Sequence, residues 1–241
     1  MSDAAGSGQL PLALRFPPDQ RFETFVCADA AVVPAVRGLA IRGPSERDPA
    51  RAVFVAGGEG SGKTHLAIAA CAEAGAKGIV AAYLPLATAV GRIREALEGL
   101  HAHDLVALDG IEAAAGDREA EIALFDFHNR MHDAGRSLLY TARDWPDQLG
   151  LVLPDLRSRL SQCLRIALAP LDDAGRAQLL RLRAHRRGLQ LDDAAIDWLL
   201  RRVGRDLASL AALFDRLDRA ALAAQRRITV PFLRQVLGDS P

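Results

Sequence analysis

At 241 residues the chain exceeds one average domain, which predicts a main lobe and a smaller satellite with separate cores. Its 30 basic residues balance 30 acidic ones at a pI near 7, so no net field draws the whole protein to nucleic acid or to an anionic membrane. Three cysteines without paired spacing argue against a disulfide framework, and no segment approaches the roughly 18 consecutive apolar residues of a membrane span, so a cytoplasmic protein with no membrane attachment is expected.

Residues 1–8 are small and polar and are expected to be disordered. Beyond them Gln9-Leu10-Pro11-Leu12-Ala13-Leu14 places leucines at alternate positions, which suits either an edge strand or a tether. Between residues 51 and 167 apolar runs alternate with helical patterns. The runs cover 52–56, 79–84, 105–108, 137–141 and 163–168. This alternation predicts an α/β lobe, a parallel five-stranded sheet flanked by helices.

Directly after the first run comes Gly57-Gly58-Glu59-Gly60-Ser61-Gly62-Lys63-Thr64, followed by a helical pattern from His65 to Ala74. The spacing is Gly-x-x-x-x-Gly-Lys-[Ser/Thr], a phosphate-binding loop between strand and helix. Glycines let the backbone curl so that its N–H groups face phosphate oxygens, and the helix that follows points its positive end at them. Only two of the 30 basic residues are Lys, and one of them is Lys63, placed to neutralise β and γ oxygens. The Thr64 hydroxyl is the expected Mg²⁺ ligand. The apolar run 105–108 ends in Asp109, the expected carboxylate on the metal side; a turn or cap Asp before Gly110 is the plainer alternative. Gly110 follows where many hydrolysing relatives carry a second acid, and Glu112 comes only later, which argues against fast hydrolysis by this chain alone.

His128 and His132 stand at i, i+4, but no Glu follows His128 and no third ligand is near in sequence, so both are read as helix-surface histidines. After Pro170 the strands stop and an all-helical segment follows. Asp172 opens a helix that closes at Arg186-Arg187-Gly188, and Asp192 opens another that closes at Gly204. Apolar stripes at Ile196, Leu199, Leu200 and Val203, and at Leu207, Leu210, Phe214, Leu217 and Ala221, are expected to pack on one another and on the first lobe.

The phosphate loop followed by His65-Leu66, the strand ending in Asp109, and a helical lid after Leu168-Ala169-Pro170-Leu171 resemble the AAA+ family, specifically its DnaA clade. The length, the leader and the lid segments Leu182-Arg183-Ala184 and Leu217-Asp218-Arg219-Ala220 look closer to the regulatory inactivators of that clade than to its initiators. The resemblance implies three parts: a flexible leader over 1–14, a nucleotide-binding domain over 15–168 and a helical lid over 169–241. It implies ADP or ATP with Mg²⁺ as ligands, held by Gly57, Gly58, Gly60, Ser61, Gly62, Lys63, Thr64, His65, Asp109 and the lid arginine Arg205. Thr64 and Asp109 would meet the ion.

The leader is similar to a motif that binds the sliding clamp, the β subunit of DNA polymerase III, through Gln9, Leu10, Leu12 and Leu14; Ala13 stands where Pro is usual. The segment Leu153-Pro154-Asp155-Leu156-Arg157-Ser158-Arg159-Leu160 resembles one that carries an arginine finger, with Arg159 as the catalytic residue acting on a neighbour's nucleotide and Arg157 as its alternative. Thr141 stands at the usual place of a polar sensor, and Phe22 and Phe25 resemble the aromatic segment beside the adenine. The function implied is a DNA replication inhibitor without fast hydrolysis of its own: clamp-tethered, nucleotide-bound, and promoting hydrolysis of ATP on DnaA. A self-contained ATPase of the helicase-loader type is the rival. Sequence-specific DNA binding is not expected, because nothing after Gly238 supplies a helix-turn-helix; assembly into a homo-oligomer is compatible with the resemblance.

Overall fold

Alternation along the strands decides the architecture. A computed structural model describes residues 16–17, 19–41, 51–186, 188–202 and 228–237; the leader with Gln9, Leu10, Leu12 and Leu14, the lid arginine Arg205 and the stripe from Leu207 to Ala221 lie outside the described residues. In chain order the main elements are α1 (Val32–Ala40), β1 (Ala52–Ala56), α2 (Lys63–Ala76), β2 (Ala81–Pro85), α3 (Ile93–Glu98), β3 (Leu105–Asp109), α4 (Arg118–Asp133), β4 (Ser137–Ala142), α5 (Pro154–Ser161), β5 (Leu164–Ala167), α6 (Asp173–Arg186), α7 (Asp193–Arg202) and α8 (Val230–Leu237).

The five strands are parallel and ordered β2-β3-β4-β1-β5. Successive side chains point to opposite faces, and both faces are apolar because helices cover both. Phe54, Val106, Leu108, Leu138 and Tyr140 pack with residues of α3, α4 and α5 on one side; Val53, Val55, Leu105, Ala107 and Leu139 pack with α1 and α2 on the other. Burying each such Leu, Val or Phe contributes roughly 1.5–3 kcal/mol. Small residues on α2, Ala67, Ala69, Ala70 and Ala74, are fully buried and let that helix lie close on β3 and α1.

Strand starts differ slightly from the apolar runs. The expected strand from 79 begins at Ala81 because the Ile79 N–H instead closes the end of α2 on the Ala74 carbonyl at 3.0 Å. Likewise Cys163 N–H closes α5 on Leu160 at 3.3 Å, and β5 begins one residue later.

In the helical segment, Asp172 and Asp192 cap as expected: Asp172 Oδ1 accepts the Gly175 N–H and Asp192 Oδ1 the Ala195 N–H, each at 2.7 Å. Leu180, Ala184, Ala195, Ile196, Leu199, Ile228 and Leu233 form a separate small core. Among the described residues no helix is long and apolar enough to cross a membrane.

Candidate functional site

The loop from Gly57 to Thr64 joins β1 to α2 at the carboxyl edge of the sheet, where open α/β sheets place their ligands. Gly60 and Gly62 adopt φ of +68° and +96°, conformations that side-chain-bearing residues rarely take. Gly57 meets a different demand: a Cβ there would lie 2.6 Å from Ser61 Oγ and 2.7 Å from the Leu168 carbonyl oxygen. The buried Ser61 hydroxyl has no hydrogen-bond partner among the described residues. Lys63 Nζ donates to the carbonyls of Gly57 at 2.6 Å and Gly58 at 2.7 Å, which spans its ammonium across the loop. Burial lowers the Lys63 pKa, opposed by the charges of Glu112, Asp109 and Glu59. A partly desolvated cation seated on the loop carbonyls is suited to anionic phosphate.

Parallel pairing aligns the ends of β3 and β4, with Asp109 opposite Thr141. The Thr64 hydroxyl donates to Asp109 Oδ2 at 2.8 Å, joining the loop to the neighbouring strand. Thr141 donates to Asp109 Oδ1, and its own oxygen accepts the Gly110 N–H at 3.0 Å. A third hydroxyl was not anticipated from the sequence: Tyr83, on β2, donates to the same Asp109 Oδ2 at 2.8 Å. The signal for it is a polar-tipped aromatic near the end of an apolar strand, which becomes informative only once β2 is known to lie beside β3. Gly110 has φ +82°, so the residue after Asp109 is glycine for a backbone reason. Glu112, on the short 3-10 turn Ile111–Ala114 that follows, pairs with Arg143 at 3.3 Å.

His65, which follows the loop on α2, meets the N-terminal segment. Its Nε2 lies 2.9 Å from the Arg21 carbonyl and 3.3 Å from Thr24 Oγ1, and its ring meets Phe25 edge-on at 5.3 Å, so it fastens the N-terminal segment onto α2. Burial lowers the His65 pKa, which keeps the ring neutral in that contact. Phe25 lies against the loop, 2.9 Å from where a Cβ on Gly62 would stand. Phe22 is a core residue under the Arg37 guanidinium, which sits 4.9 Å from its ring centroid. From α6, Arg186 pairs with Asp19 at 3.7 Å, and Leu182 and Arg183 line a small cleft with Asp19 and Thr24.

Helix α5 starts at Pro154, carries Arg157 and Arg159 on its exposed side, and buries Leu156 and Leu160. Neither guanidinium forms an ion pair among the described residues. His128 is corrected: it is buried, not on the helix surface, because α4 turns that face to β4, where the Tyr140 hydroxyl lies 2.9 Å from His128 Nδ1. Burial, then the nearby Arg159, lowers its pKa to about 4. His132, stacked on it at 6.4 Å, is exposed.

A phosphate loop after β1, an acid at the end of β3, a polar residue at the end of β4, this strand order and a helical lid together define an AAA+ P-loop protein. The family model for the bacterial DnaA ATPase domain matches residues 17–167, and that for the Hda lid domain matches residues 173–237. The chain therefore belongs to the DnaA clade of AAA+ proteins, with a lid of the Hda type. Among solved structures it is similar to domain III of DnaA from Thermotoga maritima, at 20% identity and a TM-score of 0.77 over 93% of this chain and 98% of that one. It also resembles a DnaA replication initiator bound to AMPPCP and single-stranded DNA, at 22% identity and a TM-score of 0.70, covering 83% of this chain and 65% of that one. AMPPCP-bound DnaA from Aquifex aeolicus matches at 23% identity and a TM-score of 0.65, covering 82% and 64%. The chain thus spans just under two thirds of those two longer DnaA chains.

Proposed function

We propose that this protein is a regulatory AAA+ adaptor that binds ADP or ATP with Mg²⁺ and stimulates hydrolysis of ATP held by DnaA. In this reading it works in the cytoplasm and is tethered to the sliding clamp through Gln9, Leu10, Leu12 and Leu14. It limits re-initiation of chromosome replication. The residues at hand suit the ligands. Gly57, Gly58, Gly60, Ser61, Gly62 and Lys63 would hold the phosphates, and Thr64 and Asp109 offer the hard oxygen donors that Mg²⁺ prefers. The ion would draw charge from the β and γ phosphates. Arg205 would reach the nucleotide from the lid.

The observation that carries the adaptor reading is the contrast between two places. Beside this chain's own loop, the residue after Asp109 is a glycine in a left-handed conformation, and Glu112 is occupied by Arg143. On α5, by contrast, two arginines stand exposed. The first place is poor in groups that activate water, and the second offers cations to another chain's phosphate. The rival, a self-contained ATPase, would need Glu112 to leave Arg143.

The deciding experiment is single-turnover conversion of DnaA-bound ATP to ADP, with and without DNA-loaded clamp, using the full chain and a variant lacking residues 1–14. Acceleration that depends on clamp and on the leader supports the adaptor. No acceleration, together with rapid ATP hydrolysis by this protein alone, would overturn it in favour of the rival.

A further inference from the structure

Asp109 receives more hydroxyl donors than a phosphate-loop carboxylate needs for its link to Thr64. Three side chains from three elements converge on it: Thr64 from α2 and Tyr83 from β2 on Oδ2, and Thr141 from β4 on Oδ1. The two donors on Oδ2 differ in what holds them. Thr64 sits on the first turn of α2, and its oxygen is the atom a hard cation takes from this loop. Tyr83 is anchored elsewhere. Its ring packs against the cluster beneath α2, and its position on β2 is fixed by pairing with Ala107 on β3. Tyr83 therefore shares a sheet face with Asp109, two residues farther along β3, and its phenol spans that interval.

We propose that Tyr83 is a positioning residue for the metal side of the site, its hydroxyl fixing the rotation of the Asp109 carboxylate so that Asp109 faces the Mg²⁺ bound with the nucleotide. Partners outside the coordination shell orient the ligands within it, and losing one typically costs ten- to a hundredfold in metal affinity. Thr141 fixes Oδ1 and Tyr83 fixes Oδ2, so the carboxylate stays oriented when the Thr64 oxygen turns to the ion. This rests on the reading of the loop as a Mg²⁺–nucleotide site.

The test is titration of fluorescent ADP and ATP in EDTA and in Mg²⁺, with wild type and Tyr83→Phe, which keeps the ring and removes only the hydroxyl. The readout is the ratio of the two affinities within one preparation, so a fall in the folded fraction cancels. The expected result is unchanged affinity in EDTA and a Mg²⁺ enhancement that drops roughly tenfold. A loss of packing would weaken both conditions alike and would overturn the proposal, as would a full Mg²⁺ enhancement in Tyr83→Phe or none in wild type. Absence of any nucleotide binding by wild type would instead bring down the site reading itself.

Discussion

The buried carboxylate of Glu121, on α4, accepts the Leu153 backbone N–H at 2.6 Å and fixes where α5 begins. The same side chain accepts the N–H of Val152 at 3.0 Å and of Gly116 at 2.9 Å. One fully buried acid therefore satisfies three backbone donors and ties the turn before α5 to the body that carries Asp109. Arg157 and Arg159 inherit their placement from it.

Replacing that acid disturbs α5 selectively. In Glu121→Gln an amide NH₂ faces backbone N–H donors, and each buried group left unpaired costs ~1–3 kcal/mol. Thermal unfolding should show a clearly lower midpoint. Hydrogen exchange should show lost protection at Val152 and Leu153 while the strand amides of β1 and β4 keep theirs. Unchanged exchange at those two amides would mean that α5 is held by Leu156 and Leu160 alone.

The depressed pKa of His128 gives stability a specific acid limb. With about 4 in the folded chain against an ordinary 6.5, the unfolded chain takes up the proton first as pH falls. The contribution is fully present above pH 6.5 and is lost downward toward pH 4, at no more than ~1.4 kcal/mol per pH unit. Urea unfolding at pH 7 and pH 5 should therefore show a larger loss for wild type than for His128→Gln. Parallel losses would assign the acid limb to other groups.

Lys63→Ala removes the cation seated on the carbonyls of Gly57 and Gly58. Charge-assisted hydrogen bonds of this kind are worth ~1.5–3 kcal/mol, so ADP and ATP should bind at least about tenfold more weakly. The melting temperature without nucleotide should barely move, since the bonds lost, to Gly57 and Gly58, stand at a partly exposed loop. Equal affinity for both nucleotides in wild type and variant would show that phosphate is bound elsewhere.

Arg159→Ala should separate binding from catalysis. Fold, bound nucleotide and clamp capture are expected to persist, because the guanidinium is exposed and this chain's own loop is untouched. Stimulation of hydrolysis on DnaA should fall by ~10³ or more if the residue stabilises transition-state charge across the interface, whereas loss of a surface ion pair would cost under ~1 kcal/mol. Single-turnover conversion distinguishes the two magnitudes, and a loss confined to Arg157→Ala would move the role two residues upstream.

Much of this protein is local and was legible as sequence. The spacing from Gly57 to Thr64 predicts a loop between strand and helix, because side-chain-bearing residues rarely take the φ values seen at Gly60 and Gly62. Asp172 and Asp192 announce their helices, because a cap bonds within its own first turn. Apolar runs announce strands, because both faces of a covered parallel sheet must be apolar.

What the chain order conceals is adjacency. Nothing in the sequence places β4 between β3 and β1, since that neighbour is chosen by how crossover helices pack and not by any residue in the strand. Once it lies there, Thr141 faces Asp109, and with β2 on the other side Tyr83 reaches the same carboxylate. His128 has the same history: with no third ligand near in sequence it read as a surface residue, and only the approach of β4 gave it the Tyr140 hydroxyl and buried it. Glu121 belongs here too: its carboxylate meets the Val152 and Leu153 N–H groups only because the chain returns to α4 some 31 residues later. The sequence determined the elements and the phosphate chemistry, which depend on contacts a few residues apart. The tertiary structure alone decided which side chains share a hydrogen bond across 26, 32 or more residues, because such pairs are selected by packing and leave no periodic trace.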